Sequence, residues 1–254
     1  MPALRQGKMT LPRPAHVLDI SSIGALKGIA EKSDWIQIGA TTPLTEVARS
    51  VVIRETLPVL TEAAGQVGSL QIRNQGTLGG NLCNASPAAD TAVSLLALNA
   101  RVCLKSLDRE RIVSLDDFFV GPGKTVLLPA EILTKIQVPI TGLKRSSCFL
   151  KLGRRNAFTL SIISIATVLR VEERVLRYVR IVLGAVAPTP MRAKKAEEFL
   201  IGQKADESVI DEAARIAAEE ISPISDVRAS AWYRKDMAKV LTKRAVLASL
   251  NRMG

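Results

Sequence analysis

The sequence is poor in the residues on which most protein chemistry relies. Its 254 residues include a single histidine, His16, two positions after Pro14, which reads as a loop or surface residue rather than a catalytic base. The three cysteines (Cys83, Cys103 and Cys148) are widely separated, odd in number and form no CxxC. That argues against a disulfide framework, a structural zinc site and a resident iron–sulfur cluster, which needs about four thiolates. Aromatic residues make up 4%, too few to suggest stacking on single-stranded nucleic acid. No apolar run is long enough to span a membrane. The longest, FTLSIISIATVL (158–169), is short and interrupted by Thr159, Ser161, Ser164 and Thr167. The opening stretch, MPALRQGKMTLPRP, has no signal-peptide core, so a cytoplasmic location is expected. With most metal and triad chemistry excluded, either a bound cofactor does the work or the protein is not an enzyme.

What the chain does have is apolar bulk and positive charge. It is 47% hydrophobic with a net charge of +11, enough core for one large domain or two ordinary ones. The charge suits nucleic acid, an anionic ligand or an acidic partner. Basic clusters such as RVEERVLRYVR (170–180) are interleaved with Glu and apolar residues, as on the solvated face of a structured element.

HVLDIS (16–21) and WIQIGA (35–40) read as short strands. A helix is expected after Thr42 as N-cap and Pro43 at the first position, and a second one restarts near Pro58. TAVSLLALNA reads as a buried helix; RVCLKS and ERIVSL read as hairpin arms; EILTKIQVPI (131–140) reads as a strand. SCFLKLG, SIISIATVLRV and VRIVLGAV are strands or strand–helix units, which periodicity cannot separate in short apolar runs. Three helices follow: one opening near Pro190, one over DESVIDEAARIAAEEI, and one over WYRKDMAKVLTKRAVLASL. The last has an apolar stripe of Met237, Val240, Leu241, Val246 and Leu247.

GPGKT (121–125) is not a P-loop, because Phe118 stands where a glycine is required and Pro129 interrupts the following helix. GTLGGNLCNASPAAD (76–90) is more informative. Read as a glycine loop running into a helix capped by Ser86, with Pro87 in its first turn, it presents backbone N–H donors to an anion. Gly79 and Gly80 would let a phosphate approach the backbone, while Asn81, Asn84 and Asp90 add polar contacts. An ordinary turn before a capped helix is the other reading.

TLGGNLCNASPAAD resembles the second flavin-binding motif of the FAD subunits of molybdenum hydroxylases. This family includes xanthine dehydrogenase and the medium subunit of aerobic carbon monoxide dehydrogenase. IQIGATTPLTEV, QIRNQGTLGGN, SPAAD, DFFVGPGKTVLLPAEIL, GAVAPTPMRAKKAE and YRKDMAKVLTKRA follow in the family's order, so the resemblance spans essentially the whole chain. It implies an α+β fold. Residues 1–143 would form a PCMH or vanillyl-alcohol-oxidase-type FAD-binding domain, truncated at its N-terminus. Residues 144–254 would form a small α/β domain of the carbon monoxide dehydrogenase flavoprotein C-terminal type. The resemblance implies that Thr77, Leu78, Gly79, Gly80 and Asn81 line the flavin's phosphates and ribityl chain. Ser86 and Asp90 would contact the same FAD, Leu133 would pack near its flavin or adenine, and Lys151 would sit near the isoalloxazine. A lysine cation there would stabilise an anionic reduced flavin; a plain surface lysine is the other reading.

The family's earlier flavin loop, of the type Ala-Gly-Gly-Thr, precedes the point at which MPALRQGK matches. A start assigned too late, a fragment or a loss of FAD would each account for this, and intact downstream motifs favour the first. The resemblance implies an electron-transfer subunit. FAD would take electrons from the [2Fe–2S] clusters of a small subunit, serve a molybdopterin-binding large subunit, and pass the electrons to NAD or another acceptor. A structural or assembly subunit without flavin is the alternative, and a nucleic-acid-binding protein has only its charge in favour. We expect no salt-dependent retention of duplex DNA in a binding titration; a steep salt slope would restore the nucleic-acid reading.

Overall fold

The computed structural model describes residues 14, 16–140, 145–155 and 158–252. The expected division between 143 and 144 falls within residues 141–144, which lie outside the described residues. Residues 16–20 are irregular rather than a strand, and Val17 and Leu18 are exposed. Two neighbouring apolar side chains do not make a strand without a sheet edge to pair with.

The first sheet contains β1 (Ile29–Glu31), β2 (Trp35–Gly39), β3 (Arg101–Lys105), β4 (Glu110–Ser114) and β7 (Ile132–Pro139), in the antiparallel order β1-β2-β7-β3-β4. Between β4 and β7, β5 (Phe119–Gly121) and β6 (Lys124–Thr125) form a two-stranded ribbon around GPGKT. Ile36 opposite Val138 and Ile38 opposite Ile136 bury one face of the sheet. Six helices connect β2 to β3: α1 (Leu44–Arg49), α2 (Val51–Thr56), α3 (Pro58–Gly65), α4 (Leu70–Gln75), α5 (Leu78–Cys83) and α6 (Asp90–Ala97).

The helix expected after Thr42 is in fact α1 and α2, split at Ser50, whose extended backbone and hydroxyl cap α2 through the Ile53 N–H. Thr42 is not a cap. Its hydroxyl bonds the backbone of Gly28, and Pro43 occupies the cap position of α1.

The second sheet has the order β11-β10-β9-β8, from β8 (Ser146–Leu152), β9 (Ile163–Glu172), β10 (Val175–Gly184) and β11 (Met191–Arg192). The ambiguous apolar runs are therefore antiparallel strands. β9 and β10 are joined at Glu173 and Arg174, both with positive φ, and Arg170 and Arg177 of the basic cluster flank Glu172 there. α7 (Lys194–Leu200), α8 (Glu207–Glu220) and α9 (Ala231–Asn251) cover this sheet. Pro190 precedes β11 rather than opening α7.

The buried face of α9 is more polar than the expected stripe. Arg234, Thr242 and Ser249 lie inside with Ala238, Leu241, Ala245 and Val246, while Met237, Val240 and Leu247 are only half-buried. The reason is a polar strand opposite: Thr167 of β9 bonds the Ala245 carbonyl and the Ser249 hydroxyl, and Ser146 of β8 donates to the Ser249 carbonyl.

All eight residues of α6 are buried. The helix packs on α3 and on β9 and β10, and Ser94 donates to the Val59 carbonyl of α3. At Gly184 the approach is so close that a Cβ would lie 2.6 Å from both Ser164 Oγ and Val93 Cγ2. Gly184→Ala is expected to destabilise the chain by about 1–3 kcal/mol, read from the urea midpoint, because such overpacking must push α6 off the sheet.

Candidate flavin-binding cleft

Two adjoining clefts open where the first helices meet β8. One, of about 260 Å³, is lined by residues including Asn81, Asn84, Ser86, Asp90, Lys151 and Leu160. The other, of about 540 Å³, is lined by residues including Gln66, Arg73, Lys151 and Arg155. They share Gly68, Ser69, Lys151, Phe158 and Thr159, so they adjoin as one cleft, with Lys151 on the wall common to both parts.

At its centre, Lys151 Nζ donates to Asp90 Oδ2 at 2.6 Å and to the Gln66 carbonyl at 3.0 Å. The Ser161 hydroxyl donates to Asp90 Oδ1 at 2.6 Å. Asp90 opens α6, where the helix dipole favours its charge, and Lys151 comes from β8. Both side chains are almost fully buried. Burial pushes the Asp90 carboxyl above its usual range, opposed by the Lys151 charge and by the hydrogen bonds of Lys151 and Ser161. Lys151 is thus neither a surface lysine nor a lone cation, because its charge is matched by Asp90.

The glycine stretch departs from the expected anion loop. Leu78–Cys83 is a short helix, capped by the Thr77 hydroxyl through the Gly80 N–H. The Leu78 and Gly79 N–H groups bond the carbonyls of Thr42 and Ala40. These donors are therefore used inside the protein. A Cβ on Gly79 would lie 2.7 Å from Ala40 Cβ, and one on Gly80 would lie 2.9 Å from Thr77 Oγ1. The backbone that admits no side chain at Gly79 is thus the end of β2. Leu78 is buried in the core, and Leu133 is buried in β7; neither lines the clefts.

Asn81 faces the cleft and accepts a hydrogen bond from Thr91 of α6 at 2.7 Å. Ser86 does not cap α6, which begins four residues later at Asp90. Its hydroxyl accepts the Ala88 N–H at 3.3 Å and its carbonyl accepts the Ala89 N–H, forming a turn. The structure brings Asn81, Ser86, Asp90 and Lys151 to one cleft, while Thr77, Gly79 and Gly80 are not among the residues lining it.

Several participants were missed. Ser161 was visible as a hydroxyl interrupting an apolar run, but its partner 71 positions away was not. Arg73 of α4 donates to the carbonyls of Val67 and Gly68 and so fixes the turn lining both clefts. Phe158 and Leu160 leave apolar surface exposed at the rim.

Residues 3–141 match a family model described as the FAD binding domain in molybdopterin dehydrogenase, and residues 148–249 match the CO dehydrogenase flavoprotein C-terminal domain. Together they define the class, a two-part flavoprotein. The chain is 33% identical to the glyceraldehyde dehydrogenase medium chain of Sulfolobus acidocaldarius over 94% of its own length and 84% of the relative's. It is 31% identical to the carbon monoxide dehydrogenase medium chain of Hydrogenophaga pseudoflava, over 95% and 84% respectively. The solved carbon monoxide dehydrogenase from H. pseudoflava superposes with a TM-score of 0.94 at 32% identity, covering 99% of this chain and 87% of that one. Quinoline 2-oxidoreductase from Pseudomonas putida 86 gives 0.87 at 28% identity, over 92% and 81%. The chain belongs to the FAD-binding medium subunits of the molybdenum hydroxylase family, a family of oxidoreductases.

Lys151→Met leaves the Asp90 carboxylate buried without its cation. A loss of about 3–5 kcal/mol in urea unfolding is expected. Combining it with Asp90→Asn should recover part of that loss; strictly additive losses would show that the two residues do not act as a pair.

Proposed function

We propose that this chain carries FAD in the cleft and serves as the electron-transfer subunit of a multi-subunit molybdenum hydroxylase. The observation that carries this reading is the Asp90–Lys151–Ser161 constellation, buried at the centre of a cleft in a chain of this family. The cleft suits a long anionic ligand with an apolar ring. Its charged lining side chains are Arg73, Lys151, Arg155 and Asp90, so cations are in excess, while Phe158 and Leu160 offer apolar surface. FAD would supply the acceptance and release of electrons.

The chain's own part is to bind and orient. Asn81 and Ser86 would meet the polar portion of the cofactor. Lys151 would present a cation whose charge Asp90 tempers. Phe158 and Leu160 would keep water from the ring. Thr77, Leu78, Gly79, Gly80 and Leu133 would act by shaping this wall rather than as free donors.

In this reading, electrons come from [2Fe–2S] clusters of a small subunit, the substrate is oxidised at the molybdenum cofactor of a large subunit, and NAD or another acceptor takes the electrons. The complex would be a cytoplasmic heterotrimer; three free thiols suit a reducing compartment. The division at 143/144 would separate the FAD-binding part from the C-terminal part.

One observation favours a structural subunit instead: the N–H groups of Leu78, Gly79 and Gly80 are all used internally. Flavin content decides between the two. The chain is produced with its partner subunits, desalted, and its visible absorbance is compared with protein. We expect stoichiometric FAD; a complex that assembles without flavin would establish the structural reading.

A further inference from the structure

Arg234, near the start of α9, is 1% exposed. A guanidinium that deeply buried is costly unless its donors meet acceptors. Its Nη1 donates to the carbonyls of Ile162 at 2.5 Å and Ala185 at 2.8 Å, and its Nη2 donates to Asp226 Oδ1 at 2.8 Å. Asp226 is itself anchored by the Arg228 side chain and by the N–H groups of Arg228 and Ala229.

Both carbonyls belong to residues that hold the cleft wall from behind. Ile162 follows Ser161, which holds Asp90, and the Ile162 N–H bonds the carbonyl of Leu152, next to Lys151. The Ala185 N–H donates to the Pro87 carbonyl at 2.7 Å, in the turn leading to Asp90. That turn is thin. Ser86 and Ala88 line the cleft on one side and, on the other, a separate cavity of about 210 Å³ that Arg234 and Asp226 also line. With space on both faces, the turn is held by few bonds: the Ala185 bond ties it to the second sheet, the Gly123 N–H on the Ala85 carbonyl ties its start to the ribbon, and Ser86 closes it internally.

We propose that Arg234, anchored by Asp226, is the positioning residue of the cofactor cleft. It sets Ser161 and Pro87, and through them the Asp90 carboxylate, from outside the cleft. The inference rests on the reading of that cleft as a flavin site, and its test has one readout that needs no flavin.

Amide hydrogen exchange would be followed by mass spectrometry in the full chain without flavin, comparing the unmodified protein with Arg234→Lys and Asp226→Asn. A lysine cannot reach both carbonyls and Asp226 in the same way. Asp226→Asn keeps the guanidinium but weakens its anchor, and gives the same readouts if Arg234→Lys fails to fold. Exchange is expected to rise about tenfold, the scale of one lost charged hydrogen bond, over 86–91 and 159–163, with β3 unchanged as a control. FAD titration of the same proteins should show affinity falling by a similar factor. Ser161→Ala should weaken FAD binding comparably and add little when combined with Arg234→Lys.

Faster exchange confined to 226–234 would overturn the proposal, as would a loosened wall with unchanged FAD affinity. If the unmodified chain takes up no FAD, the functional reading fails, and the exchange pattern alone decides whether Arg234 sets the wall.

Discussion

The complete burial of α6 is the constraint on which the rest of the structure depends. A helix with no solvated face must find partners all round, and α6 finds them in α3 on one side and the second sheet on the other. Its packing therefore joins the first group of helices to the second sheet. The joint is dense enough to exclude even a methyl group at Gly184. It also sets an electrostatic problem, because the first residue of this helix is an aspartate. Lys151 from β8 and Ser161 from the segment before β9 solve it, so the polar centre of the cleft follows from where α6 is buried.

Other ties cross the same joint. Glu62 of α3 accepts the Phe149 N–H of β8 at 2.9 Å and pairs with Arg252, just beyond α9, at 2.7 Å. Arg180 of β10 reaches Asn99 and Asp116 beside the first sheet. Ion pairs that keep part of their surface in water contribute little individually. The Asp90–Lys151 pair differs in being hidden from water, where losing one partner costs far more than the intact pair contributes.

Much of this was legible in the sequence, and the failures have identifiable causes. Apolar runs located β2, β7, β9 and β10, and apolar residues on most faces marked α6 as buried. Asn81, Ser86, Asp90 and Lys151, singled out through the motif order, line one cleft. The glycines have two different local reasons that the sequence does not separate: a side chain at Gly79 would meet Ala40, just past β2, and one at Gly80 would meet the Thr77 hydroxyl. Thr42 and Ser86 each have the chemistry of a cap, but another backbone partner claims the hydroxyl: Gly28, far off in sequence, for Thr42, and the neighbouring Ala88 N–H for Ser86. The polar interior of α9 was hidden because Thr242 and Ser249 become core residues only opposite Thr167 and Ser146.

The cleft draws on both sides of the joint: Asn81, Ser86 and Asp90 from the first, Lys151 and Leu160 from the second. Any ligand that fills it must therefore touch both. Binding to the folded arrangement alone stabilises that arrangement by mass action, by about 2.7 kcal/mol at a hundredfold excess over Kd. A neutral internal pair is a suitable centre for such a site. It holds the walls in register without ligand, and it leaves the surplus cations, Arg73 and Arg155, to meet negative charge. The positive balance, which suited nucleic acid, an anionic ligand or an acidic partner alike, is thus partly local, in the lining of the cleft.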